Sequence, residues 1–154
     1  MWQVAACDGE LTCCQQGFEL YLHDDFDGAT IKYLRGWELG YETAAANGAY
    51  LLHTQRAVHD NLVGYAPHSS SEALVNQFRG ARHMYEHSLS AGGEDSALKL
   101  GDYYFYGKGG LEAQPHAAAA MYSRASATGS SQAAFNLALM VCVWVGVWPT
   151  LSLT

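Results

Sequence analysis

Apolar, small and glycine positions recur along this chain at fixed distances. When the sequence is shifted by 37 residues, Tyr85 falls on Tyr122 and Gly92 falls on Gly129. A further copy of the same pattern lies 52 residues upstream of the first. The two distances differ by 15 residues, which fits an insertion in the polar segment 53–71, a predicted loop that contains Gly and Pro. Self-similarity of this kind is typical of repeat proteins, in which each unit packs only against its neighbours.

The sequence pattern of each repeat predicts a pair of helices. Over 96–106, apolar residues recur at the spacing of one helix face, and Gly107 follows where a left-handed helix end favours glycine. The second helix is predicted to begin near Pro115 and to end at Gly129. Small residues between the two helices allow their axes to approach closely. The four consecutive aromatics at 103–106 cannot share one helix face, so some are predicted to pack within the pair and others against the next pair.

The stretch 103–110, with the sequence YYFYGKGG, admits two other interpretations. A β-hairpin requires a second strand with alternating apolar and polar positions, and none follows. A phosphate-binding loop requires a preceding strand and a Gly-Lys-Ser/Thr ending, and the sequence has neither. The helix pair therefore remains the prediction.

The predicted fold class is all-α: an α-solenoid of about three stacked antiparallel helix pairs, incomplete at both ends. The repeats occupy 16–140, between a poorly defined segment at 1–15 and a divergent hydrophobic tail at 141–154. Neither end shows the polar cap that seals a repeat array. A fragment or an altered gene model explains this, and a short protein that docks through its hydrophobic end is the alternative. The apolar side chains expected to be uncovered in that tail are Val141, Val143, Trp144 and Val147.

Composition and charge narrow the classes of function. The chain is 49% hydrophobic and 15% charged, which is enough apolar material for a core. Its net charge of −7 argues against nucleic acid or an anionic membrane as the partner. The longest apolar run, 137–148, is too short to cross a bilayer, so no membrane span is expected in this chain. No signal peptide is visible at the start.

One motif raises the possibility of zinc chemistry. His83, Glu86 and His87 fit H-x-x-E-H, in which two histidines one turn apart bind zinc and the glutamate acts as base. In the repeat register, however, these residues fall on variable positions between the packing residues, where solvated side chains are expected. A zinc-dependent hydrolase is therefore kept only as an alternative function.

An acidic stretch precedes the second predicted helix. Asp24, Asp25 and Asp27 approach a calcium-binding loop, but the closing glutamate is absent. A helix-to-helix turn with Asp27 as the N-cap of the next helix explains these residues better.

The cysteines and the remaining histidines show no regular metal spacing. The chain has four cysteines: Cys7, Cys13, Cys14 and Cys142. The first three can be combined with His23 as a zinc set, but free thiols or a disulfide to sequence missing from this chain explain them better. The predicted loop carries His53, His59 and His68, which are expected to keep it soluble. No metal and no other cofactor is expected.

The repeat carries a specific order of small, aromatic and glycine residues. The signature positions are Ala44, Gly92, Ser96, Leu100, Gly101, Tyr104, Gly107, Gly109, Ala118, Tyr122, Ala125, Gly129, Ala133, Leu137 and Ala138. This order resembles the Sel-one-like (Sel1-like) repeat, a relative of the tetratricopeptide repeat. The resemblance covers about 16–140 and implies stacked helix pairs.

Three segments, 40–52, 98–109 and 133–140, are similar to repeats of the endoplasmic-reticulum luminal adaptors of Hrd-type ubiquitin ligases. The resemblance implies a non-catalytic scaffold in endoplasmic-reticulum-associated degradation (ERAD). The implied partners are ubiquitin ligase subunits, misfolded client proteins and lectins. The implied location is the endoplasmic reticulum, in the lumen or at the membrane within a complex. A generic Sel1-like binding module of another pathway, located in the cytoplasm, is the alternative.

The family motif defines packing positions and leaves the partner-contact residues open. The positions that it leaves free are expected to be exposed and are the candidates for partner contact. They are Asn47, Lys99, Asp102, Tyr103, Tyr106 and Asn136.

Overall fold

A computed structural model describes residues 10–54 and 71–145, and within these ranges it contains seven helices and no strand. In chain order the helices are α1 (Glu10–Leu22), α2 (Phe26–Glu38), α3 (Glu42–His53), α4 (Ser71–Ser90), α5 (Ser96–Tyr106), α6 (Pro115–Ala127) and α7 (Ser131–Val145). None of these helices is long and apolar enough to cross a bilayer.

Neighbouring helices pack in the order in which the chain forms them. α1 pairs with α2, α3 with α4, and α5 with α6, while α7 packs against α6. The first helix of each pair is called here an A helix (α1, α3, α5 and α7) and the second a B helix (α2, α4 and α6). Contacts between α2 and α3 and between α4 and α5 join the pairs into one stack. This arrangement confirms the predicted all-α solenoid of helix pairs.

The turns after the B helices confirm the repeat register. Gly40, Gly92 and Gly129 lie at equivalent positions and adopt φ values of 89°, 102° and 101°. A side chain at these positions would meet no neighbouring atom, so the requirement for glycine comes from the left-handed backbone. Gly107 ends α5 at φ 66° and ψ 40°, which confirms its predicted left-handed helix end.

In the first and third pairs, the A helix approaches its B helix where a glycine faces a tyrosine. A β-carbon built on Gly101 would lie 2.5 Å from the Tyr122 ring, and one built on Gly17 would lie 2.7 Å from the Tyr33 ring. Ala49 holds the equivalent position in the middle pair and is fully buried. A constant repeat spacing does not predict the Gly17 contact, because the connection between α1 and α2 is shorter than the connections within the later pairs.

The repeat-signature residues divide into a buried and a more accessible set. The buried members are Ala44, Ser96, Leu100, Gly101, Gly109, Ala118, Tyr122, Ala125 and Ala133. Tyr104, Gly107 and Leu137 are half-buried, and Gly92, Gly129 and Ala138 are exposed. The two exposed glycines act through their turns.

A polar junction joins three consecutive helices. The Ser88 hydroxyl lies 2.7 Å from Oε1 of Glu42 and 2.8 Å from the Ser96 hydroxyl. These residues come from α4, α3 and α5, so the junction ties one repeat to the next. In the following repeat, Arg124 Nε donates to Glu94 Oε2 at 2.6 Å. Glu94 occupies the repeat position of Glu42. In both repeats, therefore, a glutamate at or just before the start of the A helix contacts the last turns of the B helix.

The prediction that Tyr103 is exposed was wrong. Tyr103 is fully buried and lies among rings from the preceding repeat, with centroid distances of 5.5 Å to His53 and 6.2 Å to both Phe78 and Tyr85. The side chain points from α5 towards α3 and α4. Tyr103 is therefore the aromatic of the run 103–106 that packs against the neighbouring pair.

The ends of several elements differ from the prediction. The first helix begins at Glu10 and not near Gln16, because the apolar face continues to Cys13, which is fully buried. α3 continues through His53, and α4 already begins at Ser71. Residues 55–70, which include His59 and His68, lie outside the described residues. α7 continues past Met140 to Val145, while the side chain of Trp144 and residue Val147 lie outside the described part.

The N-cap of α2 is Asp25 and not Asp27. The Asp25 carboxylate accepts from the Gly28 backbone N–H at 2.9 Å. Asp24 adopts a φ of 60° and forms the turn. Asp27 lies in the first turn of α2, where its negative charge interacts favourably with the positive end of the helix dipole. The three aspartates therefore act in one helix-to-helix connection.

His53 is the titratable histidine among the rings around Tyr103. Burial is the main cause that lowers the pKa of His53 below its ordinary value of 6.5, followed by the positive charges of Lys108 and Lys99, while Asp102 acts in the opposite direction. Its Nδ1 lies 3.2 Å from the Tyr103 hydroxyl.

We expect stability to fall when the pH drops below 6.5. The folded state binds a proton at His53 less readily than the unfolded state, so this contribution is complete above 6.5 and is lost as the pH falls towards the folded pKa. Urea unfolding at several pH values, compared between the wild type and His53→Gln, measures the effect. A pH dependence that is the same in both proteins contradicts the assignment.

Candidate protein-binding face

Exposed apolar side chains follow two rows along the A helices. Each row consists of residues at equivalent positions of α1, α3, α5 and α7. The first row contains Phe18, Tyr50, Asp102 and Leu139, and the second contains Leu22, Thr54, Tyr106 and Val143. The six large apolar members are between 42% and 66% exposed. Because apolar side chains at equivalent positions of successive repeats remain uncovered, the rows form a candidate face for a protein partner.

A groove lies between α5 and α7 at the C-terminal end of this face. Its volume is about 490 Å³. Its lining consists of Phe105, Tyr106, Pro115, Tyr122, Asn136, Leu139, Met140 and Val143. Tyr122 and Met140 are buried and form the floor, and Tyr106, Leu139 and Val143 form exposed walls. The groove is therefore apolar and has room for a few side chains of a bound polypeptide.

The polar groups beside the groove are paired with one another. The Tyr122 hydroxyl donates to Asp102 Oδ1 at 2.8 Å, and Gln132 Nε2 donates to Asn136 Oδ1 at 2.9 Å. Burial, followed by the hydrogen bond to Asp102, raises the pKa of Tyr122 well above its usual value. Tyr122 therefore stays neutral at physiological pH and acts as a fixed hydrogen-bond donor beneath an apolar surface.

One positive charge lies at the end of α5. The Lys108 ammonium group lies 5.6 Å from the centre of the Tyr106 ring and 5.8 Å from that of Phe78. Phe105 and Tyr106 meet edge to face, with their centroids 4.9 Å apart. The cation and the aromatic pair give this part of the face a combined apolar and cationic character.

The residues proposed for partner contact fall mainly on this face. Tyr106 is 66% exposed. The half-buried candidates, all on A helices, are Asn47, Lys99, Asp102 and Asn136. The sequence pattern does not identify Phe18 and Leu22, because the short connection between α1 and α2 breaks the constant repeat spacing. Their signal was the glycine at position 17, which lies opposite Tyr33.

Of the H-x-x-E-H residues on α4, His83 is exposed, while Glu86 and His87 are half-buried. Glu86 forms an ion pair with Arg82 at 3.3 Å, and its Oε2 lies 3.2 Å from His83 Nδ1. The ring of His87 instead packs edge-on against Trp37, with centroids 6.4 Å apart. The motif thus takes part in contacts along α4 and with α2.

The described members of the other candidate ligand sets do not form a metal site either. Within residues 10–54 and 71–145, no group of three or more His, Cys, Asp and Glu side chains is placed to hold a metal ion. Cys13 is buried and disulfide-bonded, so its sulfur does not serve the zinc set drawn with Cys14 and His23. Cys7 lies outside the described residues.

Comparison with known proteins shows relatives that share the repeat. The chain is 34% identical over 129 residues to the "ERAD-associated E3 ubiquitin-protein ligase component HRD3A" of Arabidopsis thaliana. It is 32% identical over 89 residues to an "uncharacterized Sel1-like repeat-containing protein" of Schizosaccharomyces pombe and 31% identical over 120 residues to "Protein sel-1 homolog 2" of Mus musculus. No family model matches the chain.

These alignments cover much of the chain and little of the relatives. The plant and mouse proteins align with 79% and 78% of this chain, and the aligned part is 17% and 16% of their own length. The fission-yeast protein aligns with 58% of the chain and 13% of its own length. The chain therefore belongs to the Sel1-like repeat proteins, a family of scaffolds for protein interaction.

Proposed function

We propose that this chain is a non-catalytic scaffold in ERAD, where it binds a subunit of a ubiquitin ligase complex through the A-helix face. The observation that carries the proposal is the pair of apolar rows along successive A helices, which ends in the groove between α5 and α7. Misfolded client proteins and lectins are further partners of the same kind.

The chemistry of the groove favours binding over catalysis. Tyr122 is neutral and Asp102 already accepts its hydroxyl proton in a hydrogen bond, so both groups fix the groove geometry. Affinity for a partner then comes from covering Tyr106, Leu139 and Val143, which are each about half exposed or more. Such a surface suits a polypeptide with apolar side chains.

The location in the endoplasmic reticulum rests on two supports. Two of the relatives carry names that describe ERAD-associated ubiquitin ligase components. The disulfide at Cys13 fits an oxidising compartment, since disulfides persist in the endoplasmic reticulum and are rare in the cytosol.

Proximity labelling in cells tests this function. We expect the chain to label and copurify with subunits of a membrane ubiquitin ligase. Replacing two groove walls, Tyr106→Asp and Val143→Asp, should reduce recovery of these subunits about tenfold or more, because charged groups then face the apolar partner.

The matched control places the same charges on exposed positions of α6, in Ser123→Asp and Ala127→Asp. Both double variants should retain the helical circular dichroism of the wild type. Recovery of cytosolic proteins alone would move the chain to a generic Sel1-like module of another pathway. Equal loss of recovery in the two double variants would contradict the assigned face.

A further inference from the structure

The basic residues of the chain differ in whether a carboxylate neutralises them. Three arginines of the described chain each form an ion pair with a glutamate, namely Arg35, Arg82 and Arg124. Three other cations form no ion pair with any carboxylate of the described residues: Arg79, Lys99 and Lys108. The positive charges of these three side chains are therefore available to an anionic group of a bound molecule.

Two of these cations, Arg79 and Lys108, are brought together where the loop 107–110 packs on α4. A β-carbon built on Gly110 would lie 3.2 Å from Arg79 Nη2, so the loop backbone runs directly past the guanidinium group. The Lys108 ammonium group lies 5.8 Å from the centre of the ring of Phe78, the residue that precedes Arg79. The loop therefore places Lys108 close to the side chain of Arg79, which is exposed on α4.

Positive charge prevails around this loop. After burial, the charges of Lys108 and Lys99 are the causes that lower the pKa of His53, and Asp102 acts in the opposite direction. Asp102 already accepts a hydrogen bond from α6. Glu112, which follows the loop, is exposed and forms no ion pair with a described cation. A carboxylate that enters from outside therefore meets two cations that no described acidic side chain holds.

We propose that Arg79 and Lys108 bind an acidic side chain of the partner polypeptide whose apolar side chains cover Tyr106. Charge complementarity selects this occupant, because a guanidinium group binds a carboxylate through two parallel hydrogen bonds and the ammonium group adds a second positive charge. The apolar part of the partner lies next to it, since the Lys108 ammonium is 5.6 Å from the centre of the exposed Tyr106 ring. The inference rests on the proposed A-helix binding face and adds that the bound segment is both apolar and acidic.

Two short fluorescent peptides are the probes: one in which glutamates separate leucines, and a matched one in which glutamine replaces each glutamate. Fluorescence anisotropy should show that the whole chain binds the glutamate peptide about three- to tenfold more tightly at low salt, the range that one or two exposed ion pairs give. Arg79→Gln combined with Lys108→Gln should remove this preference and leave the affinity for the glutamine peptide unchanged. Salt at about 1 M should also remove the preference, because it screens exposed charges beyond about 3 Å.

The matched control removes two cations from α2, in Lys32→Gln combined with Arg35→Gln, and should keep the preference for the glutamate peptide. Circular dichroism reports whether both double variants keep their helices. Equal loss of the preference in the two double variants would assign it to net charge and overturn the proposal. Equal affinity of the wild type for both peptides, or no saturable binding of the glutamate peptide, would overturn it as well.

A carboxylate of the chain itself is the alternative occupant. Asp60 lies outside the described residues, and Asp60→Asn should leave the affinity for the glutamate peptide unchanged. A gain of about tenfold or more in this variant would assign the two cations to the chain's own carboxylate and overturn the proposal.

Copurification from cells separates this inference from the proposed function. Arg79→Gln combined with Lys108→Gln should lower the recovery of ligase subunits about three- to tenfold. Unchanged recovery in this variant, together with loss in Tyr106→Asp and Val143→Asp, would overturn the inference and leave the proposed function standing. If the wild type recovers no ligase subunit yet prefers the glutamate peptide, the proposed function fails and the carboxylate site stands.

Discussion

Replacing Tyr103 with alanine is expected to lower the free energy of unfolding by about 3–5 kcal/mol, the usual cost of removing a buried aromatic ring. Tyr103 is fully buried and fills the space between α3, α4 and α5, against His53, Phe78 and Tyr85. Its loss leaves a cavity at the junction of two repeats and removes the hydroxyl that lies 3.2 Å from His53 Nδ1. Urea unfolding followed by circular dichroism measures the change.

The matched control is Tyr106→Ala, on the same helix. Tyr106 is 66% exposed and lies on the binding face, so its removal should change the free energy of unfolding by about 0.5 kcal/mol or less. Similar losses in the two variants would contradict the orientation of the aromatic run. In that case the packing of α5 against α3 and α4 described above would be wrong.

Gly101→Ala is expected to destabilise the protein by about 1–3 kcal/mol through overpacking. The added methyl group would lie 2.5 Å from the Tyr122 ring, which is held by burial and by the hydrogen bond to Asp102. Either the ring or the whole of α6 has to move. Thermal and urea unfolding report the loss, and a shift in the tyrosine near-ultraviolet circular dichroism reports the movement of the ring.

The control for this change is the same substitution at another helical glycine. At Gly80 in α4 the nearest atom to an added methyl group is Leu52 Cδ1 at 3.8 Å, an ordinary contact. Gly80→Ala should therefore stabilise the protein by about 0.5–1 kcal/mol, because alanine favours the helix. If both substitutions stabilise the protein, the close approach of α5 and α6 at Gly101 is wrong.

The aromatic run illustrates how far the sequence pattern reaches. The pattern predicts that some of the residues 103–106 pack within a pair and others against the next pair, and the structure shows Tyr103 packed against the preceding pair. It did not predict which of them is buried, and Tyr103 was placed on the wrong side. The register marks Tyr104 as a packing residue, yet Tyr104 is half-buried while Tyr103 is fully buried. A helix repeats every 3.6 residues, so neighbouring positions differ by about 100°, and the exact rotation of α5 depends on the helices that it meets.

On the binding face, too, the sequence identifies some residues and only the structure identifies others. Tyr106 was a candidate from the sequence alone, because the repeat motif leaves its position free. Phe18 and Leu22 join the same rows only once α1 is seen to pack on α2 through Gly17 and Tyr33. The shorter connection between these helices hides the match from any constant spacing.

The sequence by itself determined the helical class, the repeat register, and the glycines that end the helices. These features are local, since periodicity and a left-handed backbone depend only on the order of nearby residues. The tertiary structure alone decided which aromatics are buried, which carboxylate caps α2, and which ring covers Gly101 on α5. Burial depends on whether another helix lies against a face, and that is a property of the assembled stack.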